Sequence, residues 1–273
     1  MLEETNLFIK EMEKCFTEYK NITSEEEVKV GVDLGTSNIV LTVLDSKNEP
    51  VAGILYPSTA VRDGIVVEYL NAVNIVRKLK SKLEKKLNRT LQYAATAIPP
   101  KIISGNIKVI RNVVEGAGFE VTNIVDEPTA ASLVLNVENG AVVDIGGGTT
   151  GISIIENGKV VYSNDEPTGG HHLTLVLSGS LNISYDEAEK FKVSKENYDI
   201  VYPLVKPVIE KMSDIILHHI KGYSVNSIYL VGGTCCLEKM ENIVEKYTSI
   251  KVIKHYNPLL VTPIGIAMSM KRQ

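Results

Sequence analysis

The chain has 273 residues, 44% of them hydrophobic and 23% charged, with a net charge of −4. That length can bury one large core or two smaller ones, and the slight acidity argues against a broad electrostatic grip on nucleic acid. No apolar run approaches the ~20 residues of a membrane span, the N-terminus does not read as a signal peptide, and three cysteines make no disulfide framework, so a reducing cytoplasm is expected.

Residues 1–27 stand apart. Phe8, Met12, Phe16 and Tyr19 recur at helical spacing among Glu and Lys, which predicts an amphipathic helix packed on the body, followed by a polar linker over 21–27. The alternative is a detachable helix that docks on another protein.

The first chemical motif is Val32-Asp33-Leu34-Gly35-Thr36, where an apolar strand ends in an aspartate and turns through glycine. Ile39, Leu41 and Val43 then resume the alternation of a second strand. Further strands are predicted over 51–56 and 65–68, and an amphipathic helix over 70–87 whose Lys and Arg cluster reads as solvated surface. Residues 94–98 read as a buried strand stopped by Pro99-Pro100, 106–115 as a helix closed by Gly116 and Gly118, and 121–125 as a strand. Asp126-Glu127-Pro128 opens a helix in which Ala130 and Ala131 permit close packing on a neighbour.

Ala141-Val142-Val143-Asp144-Ile145-Gly146-Gly147-Gly148-Thr149 repeats the first motif about a hundred residues later, with a return strand turned back at Asn157-Gly158. Without Cβ atoms, the glycines let backbone N–H groups approach an anion, and Asp144 at the strand end is placed to hold a hydrated divalent cation beside it. No Gly-Lys-Ser/Thr follows, so this is not a Walker loop. Recurrence of the pattern predicts two similar lobes facing one nucleotide. Beyond it, Ser184 to Glu187 form a capping box for a helix through Phe191, and 198–220 reads as a helix with Pro203 and Pro207 in its first turns. A strand over 227–231 stops at Gly232-Gly233-Thr234; a helix over 237–247, a strand over 250–253 and a helix over 263–270 complete an α/β pattern with a mixed sheet in each half.

Five motifs now stand in order: Val32 to Thr36, Asp126 to Ala131, Asp144 to Thr149, Leu230 to Thr234, and Thr262 to Ala267. Together they resemble the phosphate, connecting and adenosine motifs of the actin, sugar-kinase and heat-shock ATPase superfamily. Val61 to Val66, Glu115 to Val121, Thr168 to His172, Glu187 to Glu189 and Val205 to Val208 are similar more narrowly to the chaperone-like ethanolamine-utilization J family of bacterial operons. The resemblance implies an actin-like fold, a duplicated ribonuclease H-like architecture with two mixed-sheet lobes around a nucleotide cleft. Lobe I would comprise 28–128 plus 262–273, and lobe II 129–261.

It also implies roles. Asp33 and Asp144 would hold Mg²⁺ through waters, and Glu127 would help orient the attacking water or its metal-bound neighbours. Backbone N–H groups of Gly35, Thr36, Ser37 and the neighbouring Asn38, and of Gly146, Gly147, Gly148 and Thr149, would cradle the phosphates of ATP. Gly232 and Gly233, with Thr234, would let adenosine lie against the backbone. Implied partners are ethanolamine-pathway enzymes or microcompartment proteins, with a cytoplasmic or microcompartment-associated location.

The sequence departs from the superfamily pattern in three places. Lys47, Lys78 and Lys101 are available, but no motif anchors one as the first-lobe lysine that heat-shock ATPases place near the γ-phosphate. Cys235-Cys236 replaces polar and basic residues at the adenosine motif, and no separate peptide-binding domain is expected after the last motif. Slow or absent turnover is therefore compatible with the sequence. His171-His172 reads as a strand pair whose rings point apart, with a packing or loop-ordering role preferred to zinc. The vicinal cysteines read as small buried hydrophobes. Three functions remain open: an ATP-driven or ATP-gated assembly factor, a small-molecule kinase, and an actin-like polymer or silent nucleotide-binding scaffold.

Overall fold

A computed structural model describes residues 2–23 and 26–271. Ser24 and Glu25 of the expected linker, and Arg272 and Gln273 at the end of lobe I, lie outside the described residues.

The chain opens with helix α1 (Leu2–Lys14), which buries Ile9 and Met12, so the N-terminal segment is packed on the body. Strands β1 (Val28–Leu34), β2 (Asn38–Asp45) and β3 (Pro50–Pro57) form an antiparallel meander. A two-strand ribbon follows, β4 (Val61–Arg62) with β5 (Ile65–Val66), shorter than the strand expected over 65–68. Helix α2 (Tyr69–Leu87) buries Val73, Val76, Leu79, Leu83 and Leu87, and ends at Asn88, whose left-handed conformation (φ 48°) lets its N–H reach Glu84 O. Then come β6 (Tyr93–Ile98), α3 (Ser104–Gly116) and β7 (Glu120–Asp126), giving the sheet order β3-β2-β1-β6-β7.

Helix α4 (Glu127–Leu135) carries the chain across to the second sheet. Its N-cap, Asp126, accepts from Thr129 N–H at 3.0 Å, with Pro128 in the first turn. Strands β8 (Gly140–Ile145), β9 (Thr150–Glu156) and β10 (Lys159–Glu166) again form a meander. Helices α5 (Gly170–Leu181), α6 (Tyr185–Val193) and α7 (Tyr198–Ile220) precede β11 (Ser227–Val231), a 3-10 turn at Gly233–Cys236, α8 (Met240–Thr248) and β12 (Lys251–Lys254). This sheet runs β10-β9-β8-β11-β12, with β8, β11 and β12 parallel. The two sheets therefore repeat one topology, the duplication expected from the paired Asp–Gly motifs.

Helix α9 (Pro258–Met268) returns to the first sheet. It begins five residues before the expected start because Pro258, not Pro263, fills its first turn. A Cβ on its Gly265 would overlap Ala130 of α4, so the two connecting helices touch at backbone distance. The expected lobe boundaries, 128/129 and 261/262, fall inside α4 and α9. Pro207 lies well inside α7 rather than in its first turns. One core fills the first lobe and another the second. A third lies along the seam, where Ile9 and Met12 join Leu44, Ala131, Leu135, Val142, Leu260 and Ile264.

Candidate nucleotide site

The seam opens into a cavity of about 880 Å³. Asp33, Gly35, Thr36, Ser37 and Asn38 line it from the first lobe, together with Glu127 at the start of α4. Asp144, Gly146, Gly147, Thr149, Gly232, Gly233 and Thr234 line it from the second. Gly148 is the one named residue that does not, because a side chain there would run into Asp63 at the tip of the β4–β5 ribbon. A Cβ on Gly147 would likewise overlap Ser37 Oγ, so the two Gly-containing turns meet face to face across the cleft.

The second turn is closed by Gly146 N–H donating to Thr149 O at 3.0 Å. Gly146 is thus not an anion donor; among the described residues, the N–H groups of Gly147, Gly148 and Thr149 donate to no other protein group. The turn is braced from behind. Gly146 O accepts from Gly170 N–H at 2.9 Å and from Thr234 Oγ1 at 2.7 Å, and Gly147 O accepts from His171 N–H at 2.7 Å. Gly232 has φ +92°, and a Cβ there would overlap the Asp144 carboxylate. Its lack of a side chain is therefore required by the backbone and by Asp144, before any adenosine is considered.

Carboxylates crowd the inner end. Asp33 and Glu127 each keep an edge on the cavity while protein closes around the rest. Burial, then the Asp144 charge, pushes Asp33 up to about 7. Burial, then Asp144 and Asp33, holds Glu127 well above the ordinary range. Burial also raises Asp144, opposed by the Thr262 hydroxyl, which donates to its Oδ2 at 2.6 Å.

A fourth acid, Asp165 on β10, went unrecognised in the sequence. Burial pushes it up to about 7 against the opposing effect of the Thr149 side chain, and its Oδ1 is buried with no partner. It lies opposite Gly151 only because a register shift between Val160 and Tyr162 displaces β10 by one residue. A regular hairpin about Asn157-Gly158 would put Asn164 there.

Burial, and at Asp33, Glu127 and Asp165 the charge of neighbouring acids, raises this cluster, an environment that fits a bound cation. Among the described residues, no three His, Cys, Asp or Glu converge as direct ligands of a metal ion.

The lysines are placed differently. Lys78 lies over the Tyr56 ring at 5.5 Å and Lys101 over Tyr162 at 5.1 Å; Lys47 sits in the β2–β3 turn, and none of the three lines the cavity. The lining lysines, Lys192, Lys195 and Lys254, come from the second lobe. Lys192 Nζ is bound to Glu189 Oε2 at 2.7 Å and Thr174 Oγ1 at 2.8 Å, and Lys254 pairs with Glu241.

His171 and His172 are not on a strand: they start α5, a helix the sequence reading omitted. His171 bonds to Tyr185 OH and His172 Nδ1 accepts from Gly169 N–H at 3.3 Å, so both order the loop. Cys235 is buried and Cys236 lines the cavity, each thiol pushed up by burial. Glu13, Tyr256 and Asn257 also line it, a contribution with no local sequence signal.

Comparison with known proteins places this geometry. The ethanolamine utilization protein EutJ of Escherichia coli K12 is 42% identical over 247 residues, covering 90% of this chain and 87% of the relative. The chain belongs to the EutJ family. The crystal structure of EutJ from Carboxydothermus hydrogenoformans matches with a TM-score of 0.92 at 43% identity, covering 98% of each chain. Family profiles for type IV pilus assembly protein PilM and for MreB/Mbl protein match residues 130–263 and 53–186. MreB5 of Spiroplasma citri, solved with ADP bound, shares the fold (TM-score 0.71, 17% identity, covering 89% of this chain and 95% of that one). This EutJ-family chain therefore has the actin-like fold, with its two-lobed duplication. Among the described residues, no helix is long and apolar enough to cross a membrane.

Proposed function

We propose that this chain binds Mg-ATP and serves as a chaperone-like assembly or maintenance factor for ethanolamine-pathway enzymes or their microcompartment. The observation that carries the reading is one cavity in which two facing Gly-containing turns meet three carboxylates, Asp33, Glu127 and Asp144. Backbone N–H groups of Gly35, Thr36, Ser37, Gly147, Gly148 and Thr149 would hold phosphate oxygens, and Asp33 and Asp144 would hold the hydrated ion. Mg²⁺ bound there would neutralise phosphate charge. Glu127, buried beside Asp144 and Asp33, would help orient the attacking water or its metal-bound neighbours.

The lobes, divided as 28–128 with 262–273 and 129–261, would close on the nucleotide and so alter a partner-binding surface. Turnover would be slow or absent, because among the described residues no first-lobe lysine lines the cavity.

Calorimetry with Mg-ATP tests the site. Asp144→Asn should weaken binding on the order of 10–100-fold, as loss of a group that holds a metal through its outer shell does. Equal affinity for both chains would refute the assigned site. Co-purification of the full chain with ethanolamine-pathway proteins, with ATP and with ADP, tests the partner reading; capture indifferent to nucleotide would refute gating.

A further inference from the structure

We infer that the N-terminal helix forms part of the nucleotide cavity wall, with Glu13 as the positioning residue that fixes the loop before α9. The inference rests on the nucleotide-binding reading above.

Three sets of contacts tie the segment down. Toward the second lobe, Glu13 Oε2 accepts from Tyr256 OH and Glu13 Oε1 from Asn257 Nδ2, both at 2.8 Å. Asn6 Oδ1 accepts from Tyr256 N–H at 2.9 Å, and Lys10 Nζ lies 4.9 Å from the centre of the Tyr256 ring. In the seam, Ile9 and Met12 are fully buried against α4 and α9. Toward the first lobe, Cys15 O accepts from Gly53 N–H at 3.0 Å and Lys20 N–H donates to Val51 O at 2.9 Å. The chain thereby covers the outer edge of β3, with the Phe16 ring occupying the space a side chain on Gly53 would need.

One short segment thus grips both lobes and the helices between them. Its reach into the site is direct. Glu13, Tyr256 and Asn257 all line the cavity, and Asn257 is the N-cap of α9, the helix whose Thr262 bonds Asp144. A carboxylate accepting two side-chain bonds makes roughly twice the interaction of a neutral acceptor, so Glu13 can hold Tyr256 and Asn257 in one arrangement. Lobe rotation has to shift or break this set of contacts. Nucleotide affinity and the seating of α1 are then reciprocally linked.

The test uses the full chain and Mg-ADP, so that no turnover intervenes. Calorimetry on the wild type, Glu13→Ala, Asn257→Ala and the double variant should show Glu13→Ala binding about 5–20-fold more weakly. The double variant should bind no worse than Glu13→Ala alone, because the bond that Asn257→Ala removes is one of the two that Glu13→Ala removes. Glu13→Gln, which keeps the size and loses the charge, should lose about 2–5-fold and covers the case in which the alanine variant folds poorly. Hydrogen exchange should show nucleotide-dependent protection of residues 254–260 in the wild type and its loss in Glu13→Ala. A lowered melting temperature with affinity within about twofold of wild type in both Glu13 variants would mean a structural role only and would overturn the inference. A wild-type chain that binds no Mg-ADP would instead defeat the nucleotide reading itself, and the inference with it.

Discussion

Replacing Asp33 by asparagine should stabilise the ligand-free chain at about pH 8 while removing its response to magnesium. Asp33 is held up to about 7 by burial and by the neighbouring Asp144, against an ordinary value near 3.8. The folded chain therefore binds the Asp33 proton more tightly than the unfolded chain. This contribution to stability is full below about pH 4 and is lost as pH rises through about 7. Taken at face value, a shift of about three pH units is about 4 kcal/mol. Asp33 keeps an edge on the cavity, so solvent screening leaves about 1–2 kcal/mol. Asparagine removes the charge at nearly constant shape. At about 2–4 °C per kcal/mol for a chain of this size, the variant should melt about 2–8 °C above the wild type at about pH 8, and the gap should close near pH 4. Magnesium at millimolar concentration should raise the wild-type melting temperature at about pH 8 and leave the variant unmoved. Calorimetric melts across pH, with and without the ion, make the comparison. A variant less stable than the wild type at high pH, or one keeping the wild-type pH slope, would show that the crowding of acids carries no energetic cost.

Gly232→Ala should destabilise the chain by about 2–4 kcal/mol, combining the strain of a positive φ with displacement of the Asp144 carboxylate. A urea midpoint within error of the wild type would refute that geometry. His255 is buried with no partner on Nδ1, and burial lowers it to about 4. Its depressed value gives stability that is full above about pH 6.5 and lost as pH falls toward about 4, worth about 2 kcal/mol between pH 6.5 and 5. Denaturant unfolding of His255→Leu at about pH 7.5 and 5 should show a smaller acid loss than the wild type; equal losses would remove His255 as the cause.

How much of this was legible depended on whether the cause was local. The strand-to-turn aspartates, the cap at Asp126, the capping box at Ser184 and the close helix crossing at Ala130 all lie in short patterns with short-range physics. The twofold repeat of strand order followed from the two Asp–Gly motifs. Helix α5 was obscured because it opens on Gly-Gly-His-His and leaves Leu175 58% exposed, which blurs the apolar face formed by Leu173 and Leu177. Asp165 was hidden by a one-residue register shift that no residue type announces. Glu13 was hidden by distance along the chain, since its partners lie 243 and 244 residues away. The donor assignment at Gly146 failed because the turn uses that N–H to close itself.

The placement of charge sets what the cavity can do. Its acids face the two Gly-containing turns, and of the three lysines lining it from the second lobe, Lys192 and Lys254 are ion-paired, with Lys195 the third. On the proposed reading an incoming triphosphate would meet turn N–H groups, Lys195 and the hydrated cation the acids would hold. Absence of one charge-stabilising side chain typically costs on the order of 10²–10³ in turnover. Binding alone can still do work. A nucleotide that prefers the closed form by about a hundredfold shifts the lobe equilibrium by about 2.7 kcal/mol, comparable to the coupling free energies of allosteric proteins. On this chain such a shift acts on α1 as well, because the helix is fastened to both sides of the cleft. The seat of α1 is then the most direct route by which an occupied cavity could change the outer surface.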